Sequence, residues 1–249
     1  MYEQLNTAHS PFTTSTEITL FEVYLSSQEK INQEIIKLTD WYTDDMFDSD
    51  QDDKIIAPFS RIFCDVERFS DDELEVMAKS GMGVLYEKFD NGESLRTVTP
   101  KLRELILENY YWKHHNRLND AVKKHLDERG TCLILDCHSF PSTPLTRALV
   151  QNPDTPDFNI GTDSFHTPSE YIEASKDFFE SKGYSLGVDT PYTGSIVPME
   201  HYQKDPRVHS IMLEVNRRMY LNESTKEKSE GYQKTKEIVQ DYIKLLKSL

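Results

Sequence analysis

The chain has 249 residues, 37% of them hydrophobic, and a formal net charge of -15. That length can bury a full core, and an α/β arrangement of this size is commonly one unit, so a single domain spanning 1–249 is expected. The acidic balance excludes nucleic acid and anionic membranes as main partners, since both reward Lys and Arg patches, but it leaves room for a small acidic substrate held by local cations. The cysteines Cys64, Cys132 and Cys137 are an odd set in or beside apolar segments, which reads as reduced and intracellular. With no apolar run near the roughly 20 residues of a membrane-spanning helix and nothing like a signal peptide, a soluble, cytoplasmic protein is expected.

In chain order, the first ten residues suggest a short strand entering a loop at His9-Ser10-Pro11. Residues 22–38 carry apolar side chains at helical spacing and stop at Thr39-Asp40. Acids then dominate residues 44–54. A calcium loop would need a Gly at its sharp turn and a closing bidentate Glu, and both are missing, so a solvated loop is expected. Residues 55–66 read as a strand interrupted by Pro58 that ends in Asp65-Val66-Glu67-Arg68, and residues 84–89 as a short strand bracketed by turn signals. Pro100 opens a long helix with Leu102, Leu105, Ile106, Tyr110, Leu118, Val122 and Leu126 on its apolar face, and Gly130 ends it.

Leu133-Ile134-Leu135-Asp136-Cys137-His138-Ser139 is a buried-strand pattern that finishes in an acid, a histidine and a serine. Polar groups at the carboxyl end of such a strand line the crevice where open α/β sheets bind ligands. Asp136 and His138 share a face, so the acid can orient the imidazole of a candidate metal ligand; the alternative is a strand end with a hydrogen-bonded histidine. A polar loop, a helix over 168–182, strands over 184–188 and 208–215, and an amphipathic helix over 225–246 complete the pattern. The alternation predicts a three-layer α/β/α fold with a mostly parallel mixed sheet.

Polar clusters fall near four strand ends: His9-Ser10, Arg61 with Asp65 to Arg68, Asp136 to Ser139, and Glu214. Two histidines and a carboxylate with an open fourth position are what a catalytic zinc requires, with a further carboxylate to take a proton from water. Glu214 lies inside the apolar run 211–215, where an unpaired buried acid is costly; a nearby metal or cation would offset this, or else it is a paired sheet-edge acid. His114 and His115 read as helix residues with hydrogen-bonded or surface roles. Ser139 lacks a triad and reads as a strand-end hydroxyl holding a neighbour.

The ordered motifs Ala8-His9-Ser10, Thr39-Asp40-Trp41, Ser60-Arg61 with Asp65-Val66-Glu67-Arg68, Asp136-Cys137-His138-Ser139, residues 156–162 (PDFNIGT), and Leu213-Glu214 with Tyr220 resemble those of the N-formylglutamate amidohydrolases, relatives of the zinc carboxypeptidases and aspartoacylase. The resemblance implies a phosphorylase/hydrolase-like fold of the zinc-carboxypeptidase type, one zinc ion, and hydrolysis of a linear amide in an N-formyl or N-acyl amino acid. The type reaction converts N-formyl-L-glutamate and water to formate and L-glutamate. It further implies zinc ligands His9, His138 and Asp40, with Asp44 the second choice for the oxygen ligand. Glu214 is then the general base, Arg61 the oxyanion stabiliser and Arg68 the grip on a substrate carboxylate, with Glu67 and Asn159 also on the substrate side; the alternative for either arginine is a structural ion pair with Asp65. Glu67 stands where the family usually has Asn, which implies a preference for substrates less charged than formylglutamate, or with an amine or amide there; the alternative is that Glu67 turns from the pocket to pair with a lysine or arginine and leaves selectivity untouched. Other departures are Phe12 three residues after His9, where the carboxypeptidases carry Glu, Pro11 in place of Gly, and the spacing between Gly194 and His201. The alternatives are another N-acyl amino acid or small-peptide hydrolase on this scaffold, or a non-catalytic zinc-containing binding or sensor protein.

Overall fold

The computed structural model describes residues 24–249 and the backbone of residues 2–4; Met1 and residues 5–23, His9 and Ser10 among them, lie outside the described residues. The chain forms two compact units, one of Met1–Gln4, Trp41–Ile55 and Leu118–Leu249, the other of Leu5–Asp40 and Ile56–Arg117. It is an α/β protein with a six-stranded mixed sheet in the order β2-β1-β3-β6-β4-β5 and no closed barrel.

The strands are β1 (Tyr2–Gln4), β2 (Lys54–Ile56), β3 (Cys132–Phe140), β4 (Phe158–Gly161), β5 (Leu186–Val188) and β6 (Val208–Asn216). β1, β3 and β6 run parallel, whereas β4 pairs antiparallel with β6 and parallel with β5. The two nine-residue strands β3 and β6 are buried on both faces, which is why both read as apolar runs rather than as alternation.

On one face of the first unit's sheet, Leu135, Cys137, Ile211, Leu213, Val215, Phe158 and Ile160 pack with α5 (Ser169–Ser181) and α6 (Tyr232–Leu246). On the other, Cys132, Ile134 and Val208 pack with Leu118, Val122 and Leu126 of α4 (Trp112–Arg129). Since side chains alternate along a strand, Asp136 and His138 follow Ile134 onto this second face.

The acidic segment is a loop over residues 47–53, exposed at Asp50 and Gln51, but several of its acids are paired. It begins in α2 (Thr43–Met46), and Asp45 there meets Lys228, Lys236 and the Tyr232 hydroxyl, which hold its carboxyl below the usual carboxylate range. Asp52 takes Lys247 at 2.9 Å, so the acids fasten the last helix of this unit. That helix begins at Tyr232 instead of 225, because Leu221–Asn222 (β7) and Glu227–Lys228 (β8) form a hairpin first.

In the second unit, α1 (Gln28–Leu38) is capped by Ser27. The strand expected over 55–66 stops at Ile56. Pro58 has no N–H for a ladder, and the chain turns at Ser60, whose carbonyl accepts from Phe63 N and Cys64 N. Residues 84–89 form no regular strand either: Val84 O accepts from Asp65 N, Glu87 N donates to Gly81 O, and strand-like pairing is limited to the isolated antiparallel bridge Lys88–Ser94. Ala57, Phe59, Phe63, Val66, Leu85, Ile106 and Tyr111 form its core.

The expected long helix is α3 (Pro100–Ile106), a π turn over Leu107–Tyr111, and α4, entered through a Thr99 cap. A π turn carries one extra residue per turn and so shifts the helix face, which buries Tyr111 where a regular helix would bury Tyr110.

His114, in the first turns of α4, is 2% exposed. Burial, and then the charge of Arg117, push its pKa down to about 4, and burial lowers neighbouring His115 to about 4 despite a bond to Val66 O. Between about pH 6.5 and 4 the unfolded chain therefore takes up protons that these folded histidines refuse, so stability is full above 6.5 and falls as pH drops toward 4. Urea unfolding midpoints should decline across that window, and His114→Leu should flatten the decline; an unchanged slope would mean that His114 is protonated in the native state.

Candidate active site

The carboxyl ends of β3 and β6 and the amino end of the antiparallel β4 form one row on the second face of the sheet. His138 is in register with Glu214, and Glu214 with Asn159, so the three side chains project together from adjacent strands. All three are buried. Two residues back along β3, Asp136 Oδ1 accepts from His138 Nε2 at 2.7 Å, while its Oδ2 accepts from Ile196 N at 3.1 Å. A carboxylate can only accept, so this pairing puts the proton of a neutral His138 on Nε2 and the ring lone pair on Nδ1.

Residues 189–196 form a wall over this row. Asn159 Oδ1 accepts from Thr190 N at 3.1 Å and its Nδ2 donates to Tyr192 O at 2.9 Å, so the Asn159 amide holds the loop as well as lying in the row. Asp189, with φ 52°, receives Thr162 N at 2.8 Å and the hydroxyls of Thr162 and Thr193. The loop can lie this close because β4 and β5 present glycines. A Cβ at Gly161 would sit 2.2 Å from Gly194 O, and one at Gly187 would sit 2.1 Å from Thr190 O. The Tyr192 ring packs on Phe140 with centroids 5.6 Å apart. The backbone of Ser139, next to His138, is tied by buried Arg217, which donates to Ser139 Oγ at 3.2 Å and to its carbonyl at 3.3 Å.

In the second unit, Arg61 and Arg68 flank one fully buried carboxylate. Each Nε lies 3.6 Å from Asp65 Oδ2, too long for a hydrogen bond, and Arg68 Nε is 4.0 Å from Glu75. Both Nε atoms are buried, and among the described residues neither has a hydrogen-bond partner. The Tyr86 hydroxyl donates to the same Asp65 oxygen at 2.8 Å, and Glu67 N donates to Oδ1 at 3.2 Å. Burial works against the Arg61 cation, but Asp65, followed by Tyr86, Asp40 and Glu67, outweighs it and raises its pKa. Arg68 shifts the same way, with Asp65 the leading favourable charge.

Two further groups brace this cluster. Arg96 donates from Nε to Tyr86 O and from an Nη to Phe63 O, both at 2.7 Å, and the Tyr111 hydroxyl donates to Arg68 O at 2.8 Å.

Of the remaining candidates, Asp40 is buried just past α1, and Asp44 lies in α2. His9 is outside the described residues. Sequence reasoning missed the 189–196 wall, Tyr86 and Arg96. The glycines at 161 and 187 were the available signal for the wall, whereas Tyr86 and Arg96 carry no local signature.

A family model described as N-formylglutamate amidohydrolase matches residues 20–221. Among solved structures, the N-formylglutamate amidohydrolase of Ralstonia eutropha JMP134 superposes with a TM-score of 0.75 at 18% identity, over 100% of this chain and 95% of that one. A gene product of Agrobacterium tumefaciens superposes with a TM-score of 0.63 at 13% identity, over 100% of this chain and 90% of that one. No curated protein matches the chain. At these identities the two structures speak to the fold alone.

Proposed function

Because this chain belongs to the N-formylglutamate amidohydrolase family, a family of amide hydrolases, we propose that it is a zinc-dependent enzyme hydrolysing the amide of an N-formyl or N-acyl amino acid. The observation that carries the proposal is the buried row His138, Glu214 and Asn159, with Asp136 fixing the imidazole. A histidine whose second nitrogen donates to a carboxylate is oriented and made more basic, as zinc-ligating histidines generally are, so the donor chemistry fits the metal. His138, His9 and Asp40 are the proposed ligands, with Asp44 the second choice for the oxygen. When bound, zinc supplies Lewis acidity and lowers the pKa of its water from about 15.7 to near 7.

The chain's own groups then divide the remaining work. Glu214 accepts the proton of the attacking water and returns it to the leaving amine nitrogen as the amide C–N bond breaks. Arg61 faces the charge that develops on the carbonyl oxygen. Arg68 grips a substrate carboxylate with its planar fork, and Glu67, the departure from the usual Asn, biases the choice toward a less charged or amine- or amide-bearing side chain. Asn159 orders the wall that carries Tyr192. The substrate is a small molecule, and no helix among the described residues is long and apolar enough to cross a membrane.

The test is to load the purified protein with zinc and follow formate and free amine from N-formyl and N-acetyl derivatives of glutamate, glutamine and aspartate. Turnover of at least one formylated or acylated amino acid and about one zinc per chain are expected. His138→Ala should lose most of both. Metal that stays stoichiometric in that variant would overturn the ligand assignment, and no turnover of any member of the panel would favour the non-catalytic reading.

A further inference from the structure

The Arg61–Asp65–Arg68 cluster is held short of closure. Two buried Nε–H donors without hydrogen bonds among the described residues lie 3.6 Å from one buried carboxylate oxygen, although closing either gap to about 2.8 Å would form a charge-assisted hydrogen bond. The oxygen they face is already engaged, because the Tyr86 hydroxyl donates to Asp65 Oδ2 at 2.8 Å. Tyr86 is fully buried, and its own backbone is fastened where its carbonyl accepts from Arg96. The phenol is a firm donor here: burial, and then the charge of Asp65, push its pKa up, so it keeps its proton.

We propose that Tyr86 is a positioning residue that occupies Asp65 so that Arg61 and Arg68 stay ion-paired but not hydrogen-bonded to it, leaving both guanidinium groups available to a carboxylate ligand. The inference rests on the reading of Arg68 as the carboxylate grip. Its physical content is competition for one oxygen. Without the phenol, Asp65 Oδ2 loses its hydrogen bond in a buried setting and recovers it by drawing in an arginine Nε, which turns that guanidinium away from the ligand and adds to the work of binding. Arg96, bonded at 2.7 Å to both Phe63 O and Tyr86 O, fixes the segments on either side of this contact.

The experiment measures butyrate, a non-hydrolysable monocarboxylate with no second charge for Glu67 to oppose, by calorimetry on the native protein and on Arg68→Ala, Tyr86→Phe, Asp65→Asn and the double variant Tyr86→Phe/Asp65→Asn. Tyr86→Phe should weaken butyrate about tenfold, the size of one good hydrogen bond, and should have no further effect once Asp65 is Asn. A Tyr86→Phe variant that binds like the native protein while Arg68→Ala does not bind overturns the proposal. So does an equal loss in the Asp65→Asn background, which would mark Tyr86 as a packing residue. Native-like binding in Arg68→Ala, or none in the native protein, instead removes the reading underneath. If Tyr86→Phe unfolds during titration, NMR of the arginine Nε–H groups at low temperature decides. Slowed exchange and a downfield shift relative to the native protein support closure onto Asp65, and unchanged signals overturn it.

Discussion

Glu214→Gln is expected to lower kcat by about 100- to 10,000-fold, the usual contribution of a positioned general base, while leaving the melting temperature and zinc content unchanged. The reasoning starts from position. Glu214 is 7% exposed on a central strand, in register with His138 on one side and Asn159 on the other. A carboxylate in such a place is costly to bury. Glutamine preserves its shape and its capacity to accept a hydrogen bond but cannot take a proton from water at neutral pH. The measurement is formate release under saturating substrate, alongside thermal unfolding and metal analysis of the same preparation. A kcat within a few-fold of native would assign the proton transfer elsewhere, with Asp40 and Asp44 the next variants to make.

Arg68→Ala should be nearly as severe, but in a different kinetic parameter. Truncating one partner of a desolvated, hydrogen-bonded charge pair costs about 2–5 kcal/mol, roughly 30-fold or more in kcat/KM, and the loss should fall on KM. Arg68→Lys should recover little, since a point charge lacks the planar fork that matches two oxygens. The contrast that decides is substrate structure. An N-formyl amino acid should be affected and the corresponding N-formyl amine, which lacks the carboxylate, should not. Equal losses on both would mean that Arg68 serves the fold through Asp65 and Glu75, which it approaches at 3.6 and 4.0 Å.

Much of the fold was legible because its determinants are local. The run from Leu133 to Ser139 and the run from Val208 to Val215 announce central strands, and each structural strand extends the expected one by only a residue or two at its ends. Thr99-Pro100 marks a helix start whose cap and first residue are both used as such. The expectations that did not hold over 55–66 and 84–89 share a cause. Apolar residues were present at strand-like spacing, but a strand also needs a partner along its edge, and here the chain turns on Ser60 in the first segment and makes only the isolated bridge Lys88–Ser94 in the second. The pairing of acids in the stretch 44–54 was not legible for a related reason, because their partners, Lys228, Lys236 and Lys247, lie some 180 to 195 positions later.

The sequence by itself determined the chemistry at hand: which residues end the buried strands, that Asp136 and His138 share a face, and that an acid at 214 sits inside an apolar run. These follow from the period of two along a strand and from the cost of burying charge, both readable within a few residues. Only the tertiary structure decided how those groups are held. It set Glu214 between His138 and Asn159 by strand register, folded residues 189–196 over them against two glycines, shifted the long helix by a π turn so that Tyr111 reaches Arg68, and brought the Tyr86 hydroxyl to Asp65, 21 positions earlier. Each depends on contacts between segments distant in the chain, and a pattern of neighbouring residues carries no information about which distant hydroxyl will meet which carboxylate.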